Sequence, residues 1–111
     1  MKLWIDDVRQ PPDKSWTWVK SVYEAKLFYI LRTRAYNDIH VTRSITEISL
    51  DHDAGDYVNM GGDYIKFLDW LEEKAVTENY HIDAFFTIHS GNPVGRKNME
   101  NIIRKNHWRY K

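Results

Sequence analysis

The stretch that decides the fold is Leu3-Trp4-Ile5-Asp6-Asp7, a short apolar run that ends abruptly in two carboxylates. Such a run is typical of a buried strand whose carboxyl end emerges at a polar edge of a sheet. The pattern returns twice, because Ile45–Leu50 leads into Asp51-His52-Asp53 and Ala84–Ile88 leads into His89-Ser90. The repetition predicts three core strands with polar carboxyl ends.

Helical patterns separate these strands. Val22–Arg34 carries apolar residues at helical spacing, and Ser21 with Glu24 makes a capping box ahead of it. Further amphipathic segments run from Tyr64 to Thr77 and from Gly95 or Arg96 to Asn106. The alternation of strands and helices favours an α/β fold with a mostly parallel sheet and helices on both faces, which is a small three-layer sandwich.

The remaining segments are less regular. Consecutive prolines in Arg9–Lys14 remove backbone donors and favour a loop, and Trp16–Lys20 could form a second short strand. Glycines at both ends of Gly55–Gly62 indicate a flexible segment. Tyr36–Arg43 fits either a loop or an edge strand. In sheets of this kind ligands bind outside the carboxyl ends of the strands, so the polar clusters there predict one shared site.

Composition limits the classes of protein that need to be considered. A chain of 111 residues is the usual size of one domain, so residues 1–111 are expected to form a single domain. Sixteen basic and sixteen acidic residues cancel, so any binding of phosphate must be local. The absence of cysteine excludes disulfides and thiolate chemistry. No apolar run suits a signal peptide or a membrane helix, and we expect a cytoplasmic protein.

Four carboxylates follow the first two core strands: Asp6, Asp7, Asp51 and Asp53. Charges of one sign at one edge repel unless a cation lies among them or some are protonated. Oxygen ligands of this kind suit Mg²⁺, Mn²⁺ or Ca²⁺ better than zinc. The alternative is that one or two of these residues only cap loops or helices, as Asp often does.

Two histidines follow strands at the same predicted edge. His52 lies between Asp51 and Asp53, and His89 precedes Ser90. An imidazole titrates near neutral pH, so this pair could act as general acid and base beside a phosphate, with Asp53 in the same catalytic group. Alternatively, each histidine could only bond a backbone carbonyl.

The segment 89–96 is the most informative loop. Its glycine and proline residues predict a tight turn, and Ser90, Asn92 and Arg96 are its candidate phosphate ligands. A helix N-terminus offers free backbone donors to a phosphate, and an arginine adds a two-pronged charged contact. An ordinary strand-to-helix loop is the alternative. Arg9 could neutralise the first acidic pair or contact the substrate. The five tryptophans are scattered, which favours packing roles over base-stacking platforms.

Three ordered motifs resemble a known family. Residues 3–9 with Pro11 and Pro12, residues 50–53, and residues 89–95 with Met99 are similar to the cyclic-phosphate processing receiver-like domain. That family resembles the response-regulator receiver, a flavodoxin-like fold in which acidic residues after two strands hold magnesium. The resemblance implies that Asp6, Asp7 and Asp51 hold a divalent metal, Mg²⁺ or Mn²⁺. Asp51 would also stand at the position of a receiver's phosphoacceptor.

The resemblance implies a substrate as well: a phosphorylated small molecule, nucleotide or RNA end that bears a cyclic phosphate. Two features depart from the receiver pattern: the proline loop leaves no room for the usual first helix, and no Lys-Pro pair follows a further strand. In addition, the insert Ala35–Thr46 is longer than expected of the cyclic-phosphate processing family. The first hypothesis from the resemblance is metal-assisted hydrolysis of this cyclic phosphate. Its rivals are sequestration of a cyclic nucleotide and a degenerate receiver that only contacts proteins.

Overall fold

The computed structural model of the chain describes residues 1–36 and 45–111. Within these ranges the strands are β1 (Lys2–Ile5), β2 (Trp16–Val19), β3 (Glu47–Leu50), β4 (Phe85–Ile88) and β5 (Arg109–Tyr110). The helices are α1 (Val22–Tyr36), α2 (Ile65–Thr77) and α3 (Pro93–Lys105), and a short 3-10 helix spans Gly55–Tyr57. The loop or edge strand predicted after Tyr36, and most of the Ala35–Thr46 insert, lie outside the described residues.

The five strands form one sheet in the order β2-β1-β3-β4-β5, and every pairing in it is parallel. The predicted α/β fold with a parallel, receiver-like sheet is confirmed. The missing first helix is confirmed too, because residues 6–15 connect β1 to β2 without helix. Strand β5 was not predicted from the sequence, since two residues are too short to show a period-two pattern.

One face of the sheet carries the core. Alternate residues of a strand point to opposite faces, and the buried residues on the core side are Leu3, Ile5, Ile48, Leu50, Phe86 and Ile88. They belong to one cluster with buried residues of all three helices, for example Val22, Leu68 and Met99. The three crossovers from β2 to β5 all step in the same direction across the sheet, so right-handed connections place their helices on the same side.

The described helices therefore form a single layer. The prediction of a three-layer sandwich assumed helices on both faces of the sheet. Among residues 1–36 and 45–111, the helices cover one face only. The physical reason is the β1–β2 connection, which is the one step in the opposite direction. A helix there would have covered the other face, but the proline loop takes its place.

The second face, here called the open face, presents Lys2, Trp4, Trp16, Trp18, Glu47, Ser49, Phe85 and Thr87. Three of the five tryptophans lie on it, in neighbouring strands. These three are therefore not scattered, but the expectation of packing roles agrees with the structure for Trp4, which is buried, and for Trp18, whose indole N–H bonds the segment after β1. It also agrees with the structure for Trp70 and Trp108, whose rings stack on Phe67 and Phe86 of the core.

The start of α3 also differs from its prediction. The helix begins at Pro93, two residues before Gly95, because Asn92 caps it and proline suits a first helical position. At the start of α1, Ser21 Oγ accepts the Glu24 N–H at 3.0 Å, as the capping box predicts. Among the helices in the described ranges, none combines the length and apolar character required to cross a membrane.

Candidate functional site

The site lies where β1, β3 and β4 end. The backbone ladder continues one residue past the strands, with the Asp51 N–H donating to Ile5 O and the His89 N–H donating to Leu50 O, each at 2.9 Å. Ile5 and Leu50 point into the core, so the residues after them turn towards the side of the open face. Asp6, Asp51 and His89 are thereby held side by side at one edge.

Three carboxylates form a cluster at this edge. Asp6, Asp7 and Asp51 each offer an oxygen atom, and these atoms lie within 4.8 Å of one another. Burial raises the pKa of Asp7, and the charges of Asp6 and Asp51 raise it further. Such mutual repulsion is what a bound cation would relieve, and an all-oxygen donor set suits Mg²⁺ or Mn²⁺. The residues present therefore fit the metal that the sequence led us to expect.

A glycine supports this cluster. Gly55 has a φ of 55°, in the left-handed region that favours glycine, and a Cβ there would collide with Asp7 Oδ2. Only a residue without a side chain lets the backbone pass this close to the carboxylate. The glycine that the sequence marked as one end of a flexible segment thus has a local role beside the cluster.

Asp6 is fully buried and has several partners. Its Oδ1 accepts the N–H groups of Val8 at 3.0 Å and Arg9 at 2.9 Å, and its Oδ2 lies 2.9 Å from His89 Nε2. Burial alone would raise the pKa of Asp6, but these donors outweigh it and hold the pKa below its ordinary value. Asp6 is therefore ionised at neutral pH.

His89 is held at both ring nitrogens. Nε2 faces Asp6, and Nδ1 lies 2.7 Å from Ser49 Oγ. Burial lowers the pKa of His89 despite the opposing effect of Asp6, which favours a neutral ring. Because Asp6 is an ionised acceptor, Nε2 carries the hydrogen and Nδ1 accepts from Ser49. Ser49 was not predicted as a site residue, although a lone polar residue between Ile48 and Leu50 indicates a side chain on the opposite face.

His52 is held differently. Its Nδ1 lies 2.8 Å from Asp53 Oδ1, and its ring packs against Gly95 at the start of α3. Among residues 1–36 and 45–111, no group bonds its Nε2. His52, Asp53 and Asp63 also offer ligand atoms within 4.8 Å of one another, a second group that could hold a cation. Asp63 was missed because no strand precedes it, and its Oδ1 accepts the Ala54 N–H at 2.9 Å.

The loop after β4 brings two further predicted residues to the site. Ser90 Oγ accepts the Asn92 N–H at 3.0 Å, Asn92 Oδ1 accepts the Gly95 N–H at 3.0 Å, and Asn92 Nδ2 lies 3.5 Å from Asp53 Oδ1. Pro93 has no N–H and the Gly95 N–H is already bonded, so the start of α3 offers fewer free donors than we expected. The Ser90 hydroxyl and the Asn92 amide remain the available donors of this loop.

The two predicted arginines lie in different places. Arg9 Nη1 donates to His89 O at 2.7 Å, so its guanidinium reaches the site by contacting a backbone carbonyl. Arg96 Nε donates to Glu100 at 3.2 Å, one turn further along α3, and Tyr110 donates to the same Glu100 oxygen. The structure therefore brings Arg9 to the site, whereas Arg96 is engaged away from the N-terminus of α3.

The comparisons with known proteins bear on this geometry. The sequence model of one family, described as "Cyclic-phosphate processing Receiver domain", matches residues 1–105. The chain belongs to this family. The resemblance deduced from the three motifs is thus confirmed, and the cyclic-phosphate processing receiver domain is linked by its description to a phosphorylated substrate. Neither curated proteins nor solved structures gave a match.

Proposed function

We propose that this receiver domain hydrolyses a cyclic phosphate on a nucleotide or an RNA end, assisted by Mg²⁺ or Mn²⁺, and that residues 1–111 act as one domain. The observation that carries the proposal is the position of His52. This imidazole is oriented by Asp53, leaves Nε2 open, and follows Asp51 of the three-carboxylate cluster directly in the chain. A reaction on nucleotides or RNA ends would take place in the cytoplasm.

Asp6, Asp7 and Asp51 would hold the metal. A divalent cation bound there would act as a Lewis acid and offset the charge of the phosphate oxygens. The Oδ1 atom of Asp51 accepts the backbone N–H of His52 at 2.8 Å, which fixes the carboxylate against the main chain of His52. The arrangement therefore supports joint action of the cluster and His52 on one phosphate.

The proton chemistry is assigned to His52 and Asp53. In the hydrolysis, a water oxygen bonds to phosphorus as one ring P–O bond breaks, and the released ring oxygen takes up a proton. With Asp53 as acceptor for the hydrogen on Nδ1, the unbonded Nε2 of His52 would accept the proton from water and pass it to the released ring oxygen. The expectation that His89 also exchanges protons stays a prediction, since His89 would first have to leave Ser49 or Asp6.

The phosphate is assigned to donors from two loops. The Arg9 guanidinium, which bonds His89 O, comes from the loop after β1, and the Ser90 hydroxyl and the Asn92 amide come from the loop after β4. Arginine is suited to this task because its planar fork contacts two phosphate oxygens at once. The Nε atom of Arg96 is paired with Glu100, so we assign Arg96 the weakest part in phosphate binding.

One experiment tests the reaction against its rivals. Purified protein with Mg²⁺ or Mn²⁺ is incubated with a panel of nucleoside cyclic phosphates and with an RNA that ends in a cyclic phosphate. The products are read by mass spectrometry, with His52→Gln as the matched control. Addition of one water to the substrate by wild type alone supports hydrolysis. Recovery of bound but intact ligand would favour sequestration, and no binding would favour a receiver that contacts only proteins.

A further inference from the structure

A pocket of about 530 Å³ opens between the proline loop and β2, outside the set of residues assigned to the reaction. Its lining residues are Gln10, Pro11, Pro12, Asp13, Lys14, Trp16 and Trp18. The volume falls within the usual range for sites that bind small organic ligands. The missing first helix explains the pocket, because the loop that replaces it bends over one end of the open face.

The wall of the pocket is bonded to the candidate site. Trp18 Nε1 donates to Asp6 O at 2.8 Å, and Trp4 Nε1 donates to Arg9 O at 2.7 Å. Trp16 meets Trp4 edge to face, with ring centroids 5.5 Å apart. The Trp18 side of the pocket is thus bonded to the end of β1, where the carboxylate cluster begins.

The chemistry of the pocket combines aromatic rings with positive charge. Lys2 Nζ lies 4.9 Å from the ring centroid of Trp16, and Lys20 Nζ lies 4.6 Å from that of Trp18. Lys14 also lines the pocket, and the carboxylate of Asp13 is bonded to Ser15. Indole faces stack on nucleobases irrespective of sequence, and nearby ammonium groups complement a phosphate.

We infer that this pocket binds the nucleobase of the substrate, stacked against Trp16 and Trp18, while the cyclic phosphate reaches the carboxylate cluster. The inference rests on the proposed function and deepens it, because it assigns the residues that recognise the base of the nucleotide or RNA end. A sugar or lipid cyclic phosphate has no base to stack on the two indoles. Stacking of a base on Trp16 and Trp18 would give these two residues of β2 a role on the open face instead of in the core.

A matched control lies on the same face. Phe85 of β4 also has cations near its ring, Arg109 at 5.1 Å and Lys111 at 4.9 Å. These cations are paired with Asp83 and Glu47, and Phe85 is absent from the pocket. Phe85→Leu therefore removes an aromatic ring from the open face without touching the proposed base site.

The test is equilibrium binding by calorimetry of adenosine cyclic phosphate and of the matching base-free ribose cyclic phosphate, with Mg²⁺ present. Trp16→Ala should weaken binding of the nucleotide about tenfold or more and leave the base-free ligand unchanged. Trp16→Phe, which keeps a ring, should restore most of the affinity, and Phe85→Leu should bind both ligands as wild type does. A dinucleotide with the same cyclic-phosphate end shows whether the base comes from a free nucleotide or from RNA.

The outcomes separate the two proposals. Equal affinity of wild type for the two ligands, or an unchanged nucleotide affinity in folded Trp16→Ala, would overturn the base pocket even if hydrolysis is observed. Binding that depends on the base and on Trp16, with no turnover, would overturn the hydrolysis and leave the pocket standing. Circular dichroism of each variant verifies that it is folded.

Discussion

The imidazole of His89 lies flat on the indole of Trp4, with ring centroids 3.9 Å apart and planes 5° apart. Trp4 belongs to β1 and His89 follows β4, so the two rings meet across the intervening β3. The contact is possible because Ser49 of β3 is small and bonds His89 Nδ1 beneath them. The candidate site therefore extends from the strand ends onto the open face.

The two histidines should respond differently to substitution. His52→Gln is expected to lower turnover by about 10²-fold or more, because the open Nε2 can no longer accept a proton. It should also flatten one limb of the pH–rate profile. His89→Gln should lower turnover through displacement of Asp6 and keep the shape of the profile. Steady-state kinetics over a range of pH distinguishes the two, and loss of a limb in His89→Gln alone would assign the proton transfer to His89.

The carboxylate cluster should respond to metal. Mg²⁺ or Mn²⁺ at about a hundred times its Kd should stabilise the fold by about 2.7 kcal/mol, which raises the Tm by roughly 10 °C for a domain of this size. Thermal unfolding with and without the cation measures the shift. Asp51→Asn should abolish it, and Asp63→Asn, which alters the second group of potential ligands, should not. The reverse result would place the cation at His52, Asp53 and Asp63.

Gly95 should not tolerate a side chain. A Cβ there would meet the His52 ring, with Nδ1 at 2.8 Å. Alanine in a helix ordinarily stabilises by about 1 kcal/mol relative to glycine, but overpacking costs about 1–3 kcal/mol, so we expect net destabilisation and a displaced imidazole. Gly91→Ala is the control, since nothing lies within 4 Å of its Cβ position. Urea unfolding and turnover of both variants measure the difference, and a more stable, fully active Gly95→Ala would show that the ring adapts.

The packing of β5 on α3 should depend on pH. Tyr110 donates to Glu100 at 2.7 Å, and this bond is the main cause that lowers the pKa of Glu100 below its ordinary value of 4.5. The unfolded chain then binds more protons than the folded one, so the stabilisation is present above about pH 4.5 and is lost as the pH falls through the folded pKa. Tyr110→Phe should lose less stability than wild type between neutral pH and pH 3 in urea titrations. If the free energies of unfolding of the two proteins fall in parallel as the pH is lowered, the bond from Tyr110 to Glu100 does not cause the pH dependence.

Much of the fold was predictable because each core element has a local signature. The strands β1, β3 and β4 appear as apolar runs that end in polar residues, and α1 and α2 follow helical spacing to within two residues of their observed ends. The beginning of α3 was misjudged because a capping residue and a proline precede the periodic pattern. Strand β5 was missed because its pairing with β4, and not its own sequence, makes it a strand.

The sequence by itself determined the family, the parallel α/β fold and the carboxylates that meet at the strand ends. These follow from strand-end chemistry and chain order, which are local properties. Only the tertiary structure decided that both nitrogens of His89 are bonded while Nε2 of His52 has no partner in the described chain, and that Trp4, Trp16 and Trp18 share an open face. Those relationships depend on which strands are neighbours and on which side of the sheet each crossover lies, and neither is encoded in the spacing of residues along one strand.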